Sequence, residues 1–471
     1  MFRNAHALLA SVGAAALLTV ACPAQPTDDA TGEGEGEGEG EGEGEGEGVY
    51  AFQSRFIAGE SSVSYTGQAG RHLLLQELKA RIGRTDDTVI DGKTAADLKA
   101  RFTFLYDFKA DSGGTAEEPI TVTAFGTALT QTQIGEVGVV SLRDKMRDRD
   151  LDDATAIIGW GADDLAASAV AEDIIERLTL TMIARQTAIP QAPDGTPITQ
   201  TFLSASGVDH QQLLENYLLG AVAFSQGCDD YLDDSTVGKG ILSDNAVQVE
   251  GKPFTELEHA WDEAFGYFGA ARAFATHSVA DNVGGFVDAD GNGSADWLSE
   301  VNYGHARTAA QRDESSATST RFGYDAVTAL VEGRRVITAA AGPLSTAQLD
   351  TLRSLRGTIE QNWERALAAT AIRSINDIVV ELGAEPAAYS FVNHTTLWSE
   401  LKGVLLSLQF NPRSPMLVDG AARLRQAHEL VGGDAPVIAR AGFADAVVDF
   451  TALRTLLQVT YRFDERDVAA W

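Results

Sequence analysis

The chain reads as all-α, and three observations carry that prediction. Beyond residue 138, apolar residues recur at helical spacing in segment after segment: 163–186, 209–227, 254–276, 298–312, 320–340, 346–383, 394–409, 415–431 and 443–458. Turn signals such as Pro190 to Pro197, Gly342-Pro343 and Gly432-Gly433 fall between those segments. Proline, which removes a donor and clashes with the preceding turn, is scarce inside them. Helices of this length joined by short breaks pack as hairpins, and two stacked bundles would accommodate them.

The elements before residue 138 differ. Arg3 precedes an apolar run from Ala7 to Ala21 that ends in Leu18-Thr19-Val20-Ala21-Cys22. The run is too short to span a bilayer and has the form of a secretory signal, so residues 1–22 are expected to be a leader. Small residues before a cysteine resemble a bacterial lipobox, with Thr19 where leucine is usual. Cleavage there would leave an acylated Cys22 as the membrane anchor, and Pro23 in place of aspartate favours the outer membrane, facing the periplasm or the cell surface. Cleavage without lipid is the alternative.

Residues 23–48 contain a strict Gly-Glu alternation. Glycine gives flexibility and like charges repel, so this stretch is expected to be an extended tether. A single folded body should then span 49–471. Its first part mixes short strand-like runs, VYAFQSRF and ITVTAF, with one clear helix from Gly67 to Ile82.

The net charge of −32 is not confined to the tether. Ten acids and one base precede Val49, which leaves 58 acids against 35 bases in the body. Such a surface repels nucleic acid and anionic lipid and suits cations, so membrane contact is expected only through the lipid. Of the two cysteines, Cys22 is assigned to lipid, so Cys228 has no intrachain partner and reads as a buried filler.

The segment FTELEHAWDEAFGYF, 254–268, has two different faces. Phe254, Leu257, Trp261, Ala264, Phe265 and Phe268 form an apolar stripe, while Glu256, His259, Asp262 and Glu263 lie opposite. Gly266, Gly269, Ala270 and Ala273 extend that second side with small residues, which let another helix approach. His259, Asp262 and Glu263 at i, i+3 and i+4 can converge on a metal ion such as Fe, Zn or Mn. An acidic solvated face carrying one histidine has the same pattern.

Another segment, 394–410, places His394 over the apolar stripe of Leu397, Leu401, Leu405 and Leu408, with Glu400 at its edge. Both are candidate ligands from a second helix. An ion pair for Glu400 and a helix-start bond for His394 are the alternatives.

A second constellation is VDADGNGSADWLSE, 287–300. Counting from Asp288, oxygen-bearing side chains fall at 1, 3 and 5 (Asp288, Asp290, Asn292) and glycine at 6 (Gly293). Ser294 at 7 offers a carbonyl and Asp296 stands at 9. This is an EF-hand-like calcium loop over 288–300, with two departures. Position 12 is Ser299, with Glu300 one residue late, and no clear helix enters the loop. An ion-free Asx turn is the alternative.

Five segments also carry a resemblance: SSVSYTGQAGRHLLLQEL, ENYLLGAVAFSQGCDDYL, ELEHAWDEAFGYFGA, NWERALAATAIRSINDIV and HTTLWSELKGVLLSLQFNP. In order over about 50–470, they resemble a secreted bacterial family, domain of unknown function 4856, which is related to the imelysin-like proteins. The resemblance implies an imelysin-like helical double bundle, a periplasmic or outer-membrane location and an association with iron uptake or regulation. One branch has been named a metallopeptidase. The family hallmark Gly-x-His-x-x-Glu falls on Leu257, His259 and Asp262, with Glu263 directly after. Trp398-Ser399-Glu400-Leu401-Lys402-Gly403 is similar to a second pattern of that group.

Catalytic signatures are otherwise missing from the sequence: His-Glu-x-x-His, Gly-x-Ser-x-Gly, a phosphate-cradling loop and a dinucleotide fingerprint are all absent. The first expectation is therefore a lipid-anchored, non-enzymatic metal-binding protein with iron or another divalent transition metal at His259, Asp262 and Glu263. The second is a calcium-stabilised surface module that binds a protein or a glycan. The third is a metallopeptidase using His259 and Glu263.

Overall fold

The computed structural model describes residues 48–108, 123–124, 127–128 and 141–471. The leader at 1–22, Cys22, and nearly all of the tether at 23–48 lie outside the described residues. Helices dominate the described residues. The first part of the body carries α1 (Thr66–Gly83), α2 (Asp87–Ile90) and α3 (Ala95–Tyr106). Two short strands follow, β1 (Thr123–Ala124) and β2 (Thr127–Ala128), paired antiparallel. Next come α4 (Arg147–Asp150), α5 (Ala167–Ala184), α6 (His210–Leu218), α7 (Glu256–Phe268) and α8 (Val279–Gly284). The chain continues through α9 (Gly304–Glu314), α10 (Phe322–Ala340), α11 (Thr346–Gly383) and α12 (Phe391–Ser407). It ends with α13 (Val418–Val431), α14 (Phe443–Tyr461) and α15 (Glu465–Ala470).

The fold is all-α, and α11 is its axis. It packs against α9, α10, α12 and α14, while α12 also packs against α6, which in turn meets α5 and α1. Ser345 starts α11 with a capping box to Gln348, just after the Gly342-Pro343 break. Four tryptophans from different segments, Trp160, Trp261, Trp363 and Trp398, are fully buried and tie the helices into one core.

Glycines set the closest approaches. A Cβ on Gly333 of α10 would lie 2.0 Å from the Trp261 ring, and one on Gly266 of α7 would lie 2.7 Å from Tyr65 Cβ. The small-residue side of α7 therefore does admit a neighbour, the start of α1.

Several boundaries differ from the sequence expectation. VYAFQSRF is not a strand: only Gln53 pairs, with Ser61, while Tyr50 and Phe52 turn into the core. Of ITVTAF, Thr123 and Ala124 are the described residues, and both lie in β1. The helix expected over 254–276 stops at Phe268, because Gly269 takes φ 81° and its N–H caps Phe265 O. The helix expected over 209–227 is α-helical only to Leu218 and continues as π-helix over Leu219–Phe224 and Gln226–Tyr231. Cys228 is buried there, as the filler reading expected, and burial pushes its thiol well up.

Candidate metal centre

On the polar side of α7, Asp262 and Glu263 are buried, His259 is half-buried and Glu256 is exposed, and the counter-charge to Asp262 is an arginine. Thr255 and Glu258 form the capping box that starts the helix. Glu258 Oε1 accepts from Arg55 Nε at 3.1 Å and from Arg334 Nη1 at 3.1 Å. One turn on, Asp262 Oδ1 accepts from Arg334 Nε at 2.9 Å and from Tyr50 Oη at 2.8 Å, while its Oδ2 accepts from the Ser64 N–H at 3.1 Å. Arg334 comes from α10 and is fully buried, as are Glu258 and Asp262. Burial pulls the Arg334 guanidinium down, yet Asp262 and Glu258 more than offset it, so it stays charged. A guanidinium thus stands where a cation had been expected for Asp262.

The other expected ligands are engaged separately. Glu263 accepts from Gln68 Nε2 at 2.7 Å, and His259 Nε2 lies 3.8 Å from Glu263 Oε1 while its ring stacks on Phe254. Glu400 pairs with Arg373 of α11 at 3.0 Å, the ion-pair alternative. His394 is bonded through Nδ1 to the Tyr389 hydroxyl at 3.0 Å, and burial lowers its pKa to about 4. Among the described residues, no three of these five bring ligand atoms within 4.8 Å of one another. Sequence reasoning missed Arg334. Its signal was an arginine in step with Leu330 and Ile337 on the buried stripe of α10.

The loop after α8 behaves differently. Gly285, at φ 86°, ends α8, and a bridge between Phe286 and Val301 closes the loop at its base. A short helix therefore does precede it, contrary to the expectation that no clear helix enters the loop. Gly291 and Gly293 take φ of 71° and 79°, conformations that disfavour a Cβ, so the chain turns sharply at the expected sixth position.

That turn brings Asp288, Asp290 and Glu300 together, with one carboxylate oxygen of each within 4.8 Å of the others. Backbone N–H groups hold each carboxylate in place. Asp288 accepts from Asn292 N at 3.1 Å and Gly293 N at 2.9 Å, and Asp290 from Asn292 N at 2.9 Å. Buried Glu300 accepts from Ala289 N at 2.6 Å and Asp296 N at 2.8 Å. The Gly293 N–H leads in holding the Asp288 carboxyl below its usual value. Three acceptor-only groups so placed suit a hard cation that takes six to eight oxygens.

The remaining expected ligands have other tasks. Asn292 Oδ1 accepts from Ser294 N at 2.7 Å. Asp296 turns away to accept from Leu298 N and the Ser299 hydroxyl, both at 2.8 Å. Glu300, one residue late in the count, reaches the cluster, and Ser299 at position 12 serves Asp296.

Residues 184–413 match the family model described as Domain of unknown function (DUF4856). The match takes in α6 through α12 and the whole acidic loop, a shorter span than the 50–470 expected from the sequence. No curated protein and no solved structure matches the chain.

Proposed function

The chain belongs to the family of domain of unknown function 4856, and on that premise we propose that it is a lipid-anchored, extracytoplasmic binding module stabilised by calcium at loop 288–300. The observation that carries this reading is the convergence of the Asp288, Asp290 and Glu300 carboxylates. Without a cation, like charges at that separation repel; with one, the same groups fix the loop. The acidic body and the lipobox-like Leu18 to Cys22 support an anchored protein outside the cytoplasm, whose partner is a surface protein or a glycan. Iron or peptidase chemistry at His259 lacks its carboxylate partner, because Arg334 already neutralises Asp262 and Glu258.

Calcium bound only by the folded state stabilises it by mass action, about 2.7 kcal/mol at a hundredfold excess over Kd. Melting of the purified protein with and without calcium reads this directly. Calcium should raise Tm, and Asp290→Ala should abolish the rise. An equal rise in the variant would sink the assignment. The anchor has its own check, since Cys22→Ser should move the protein from the detergent phase to the aqueous phase.

A further inference from the structure

The first half of α11, the loop 411–415 and the end of α14 line a cleft of about 650 Å³. That volume lies within the range of small-molecule sites. Its charge is the reverse of the body's. Arg353, Arg356, Arg365, Arg413 and Arg462 all line it, against only Glu360 and Glu364. Where acids outnumber bases 58 to 35, five guanidinium groups around one cleft are a local inversion.

Part of that charge is already spoken for. Arg413 forms two bonds with Glu360, at 2.6 and 2.8 Å, and reaches Asp233 at 3.0 Å. Arg353 and Arg356 share Asp234, at 2.8 and 2.6 Å. Two of the five, Arg365 and Arg462, form no ion pair with a carboxylate among the described residues. Arg365 lies over the Phe322 and Phe463 rings, 5.0 and 5.3 Å from their centroids, and its buried Nε bonds to nothing. The buried Nε of Arg356 is likewise unpartnered. Glu364 offers Arg365 little relief, since it accepts instead from Asn411, Ser414 and Tyr461.

Arg462 supplies an independent observation. It caps α14 in the left-handed conformation, φ 56° and ψ 45°, where glycine or asparagine costs less. A long cation is held in a strained backbone position at the rim of a cleft already rich in cations. Backbone strain of that kind clusters at functional sites, although Ala341 ends α10 in the same conformation.

We propose that this cleft binds a small multivalent oxyanion, a phosphate ester or a polycarboxylate. Guanidinium forks match both groups bidentately, and those of Arg365 and Arg462 carry no ion-paired carboxylate among the described residues. The site is separate from the calcium loop and does not depend on it.

Isothermal titration of the full-length protein in calcium-free buffer tests this, with inorganic pyrophosphate in one arm and citrate in the other. One of the two should bind at a single site with submillimolar Kd, and the tighter probe tells phosphate from carboxylate. Arg462→Gly relieves the backbone strain, so its Tm should hold while affinity falls about tenfold or more. Arg365→Gln should weaken binding similarly, and if it does not fold, Arg462→Gly decides alone. Asp290→Ala should leave this affinity unchanged, which separates the cleft from the calcium reading. Absence of binding by both probes into the millimolar range, or undiminished affinity in Arg462→Gly, overturns the proposal.

Discussion

Arg334 and Asp262 meet at 2.9 Å with both side chains fully buried, and this pair defines what α7 does. Glu258 shares the same guanidinium, at 3.1 Å. Two carboxylates and one arginine in the core are maintained by mutual neutralisation together with Arg55, Tyr50 and the Ser64 N–H. Hydrogen bonds fill the geometry that a metal ion would otherwise complete.

Removing the arginine alone should therefore be severe. Arg334→Met leaves Asp262 and Glu258 buried without their shared cation, a change of about 3–5 kcal/mol. Urea unfolding should show that loss, and adding Asp262→Leu and Glu258→Met to the same chain should recover much of it. A loss below about 1 kcal/mol in the single variant would mean that the pair is solvated, as surface pairs are.

Glu300 and Ser299 make opposite predictions for the acidic loop. Glu300 joins Asp288 and Asp290, whereas the Ser299 hydroxyl donates to Asp296. Glu300→Gln removes a charge from the cluster and sets an amide donor against the Ala289 or the Asp296 N–H. Its calcium-dependent rise in Tm should disappear. Ser299→Ala should keep the full rise, although serine occupies the twelfth position of the loop count. A calcium response lost in Ser299→Ala and kept in Glu300→Gln would reverse the assignment.

How much of this was legible depends on how local each determinant is. The bounds of α11 could be read to the residue, because Gly342-Pro343, the Ser345–Gln348 box and Gly383 are all local signals. The convergence of Asp288, Asp290 and Glu300 was legible for the same reason, since all three lie within thirteen consecutive residues. The end of α7 was misplaced although Gly269 was visible, because glycine serves both as a helix stop and as a close-packing residue. The π-helix after Leu218 goes with long-range contacts: a Cβ on Gly220 would fall 2.0 Å from Ser407 Oγ, and one on Gly227 2.8 Å from Trp363. The partner of Asp262 lies 72 residues away in sequence, and only the tertiary fold selects Arg334 for it.

Glu364 gives a pH dependence of definite sign. It is buried on α11 and accepts from Ser414, Tyr461 and Asn411, all neutral donors. Burial raises its pKa from an ordinary 4.5 to about 7. Between those values the folded state holds a proton that the unfolded chain has released, so stability falls as pH rises. The contribution is complete below pH 4.5, is lost through pH 7 and is flat above it. Its size is about 3 kcal/mol, from 1.36 kcal/mol per unit. Buried His72 and His305, lowered to about 4 and about 3, act in the opposite sense, since their unfolded forms bind the extra proton below 6.5. The raw stability curve mixes both, and the difference between wild type and Glu364→Gln isolates the carboxyl. That variant should gain on wild type by about 3 kcal/mol between pH 4.5 and pH 7.5 in urea unfolding. A constant difference across that range would mean that folding does not raise the Glu364 pKa.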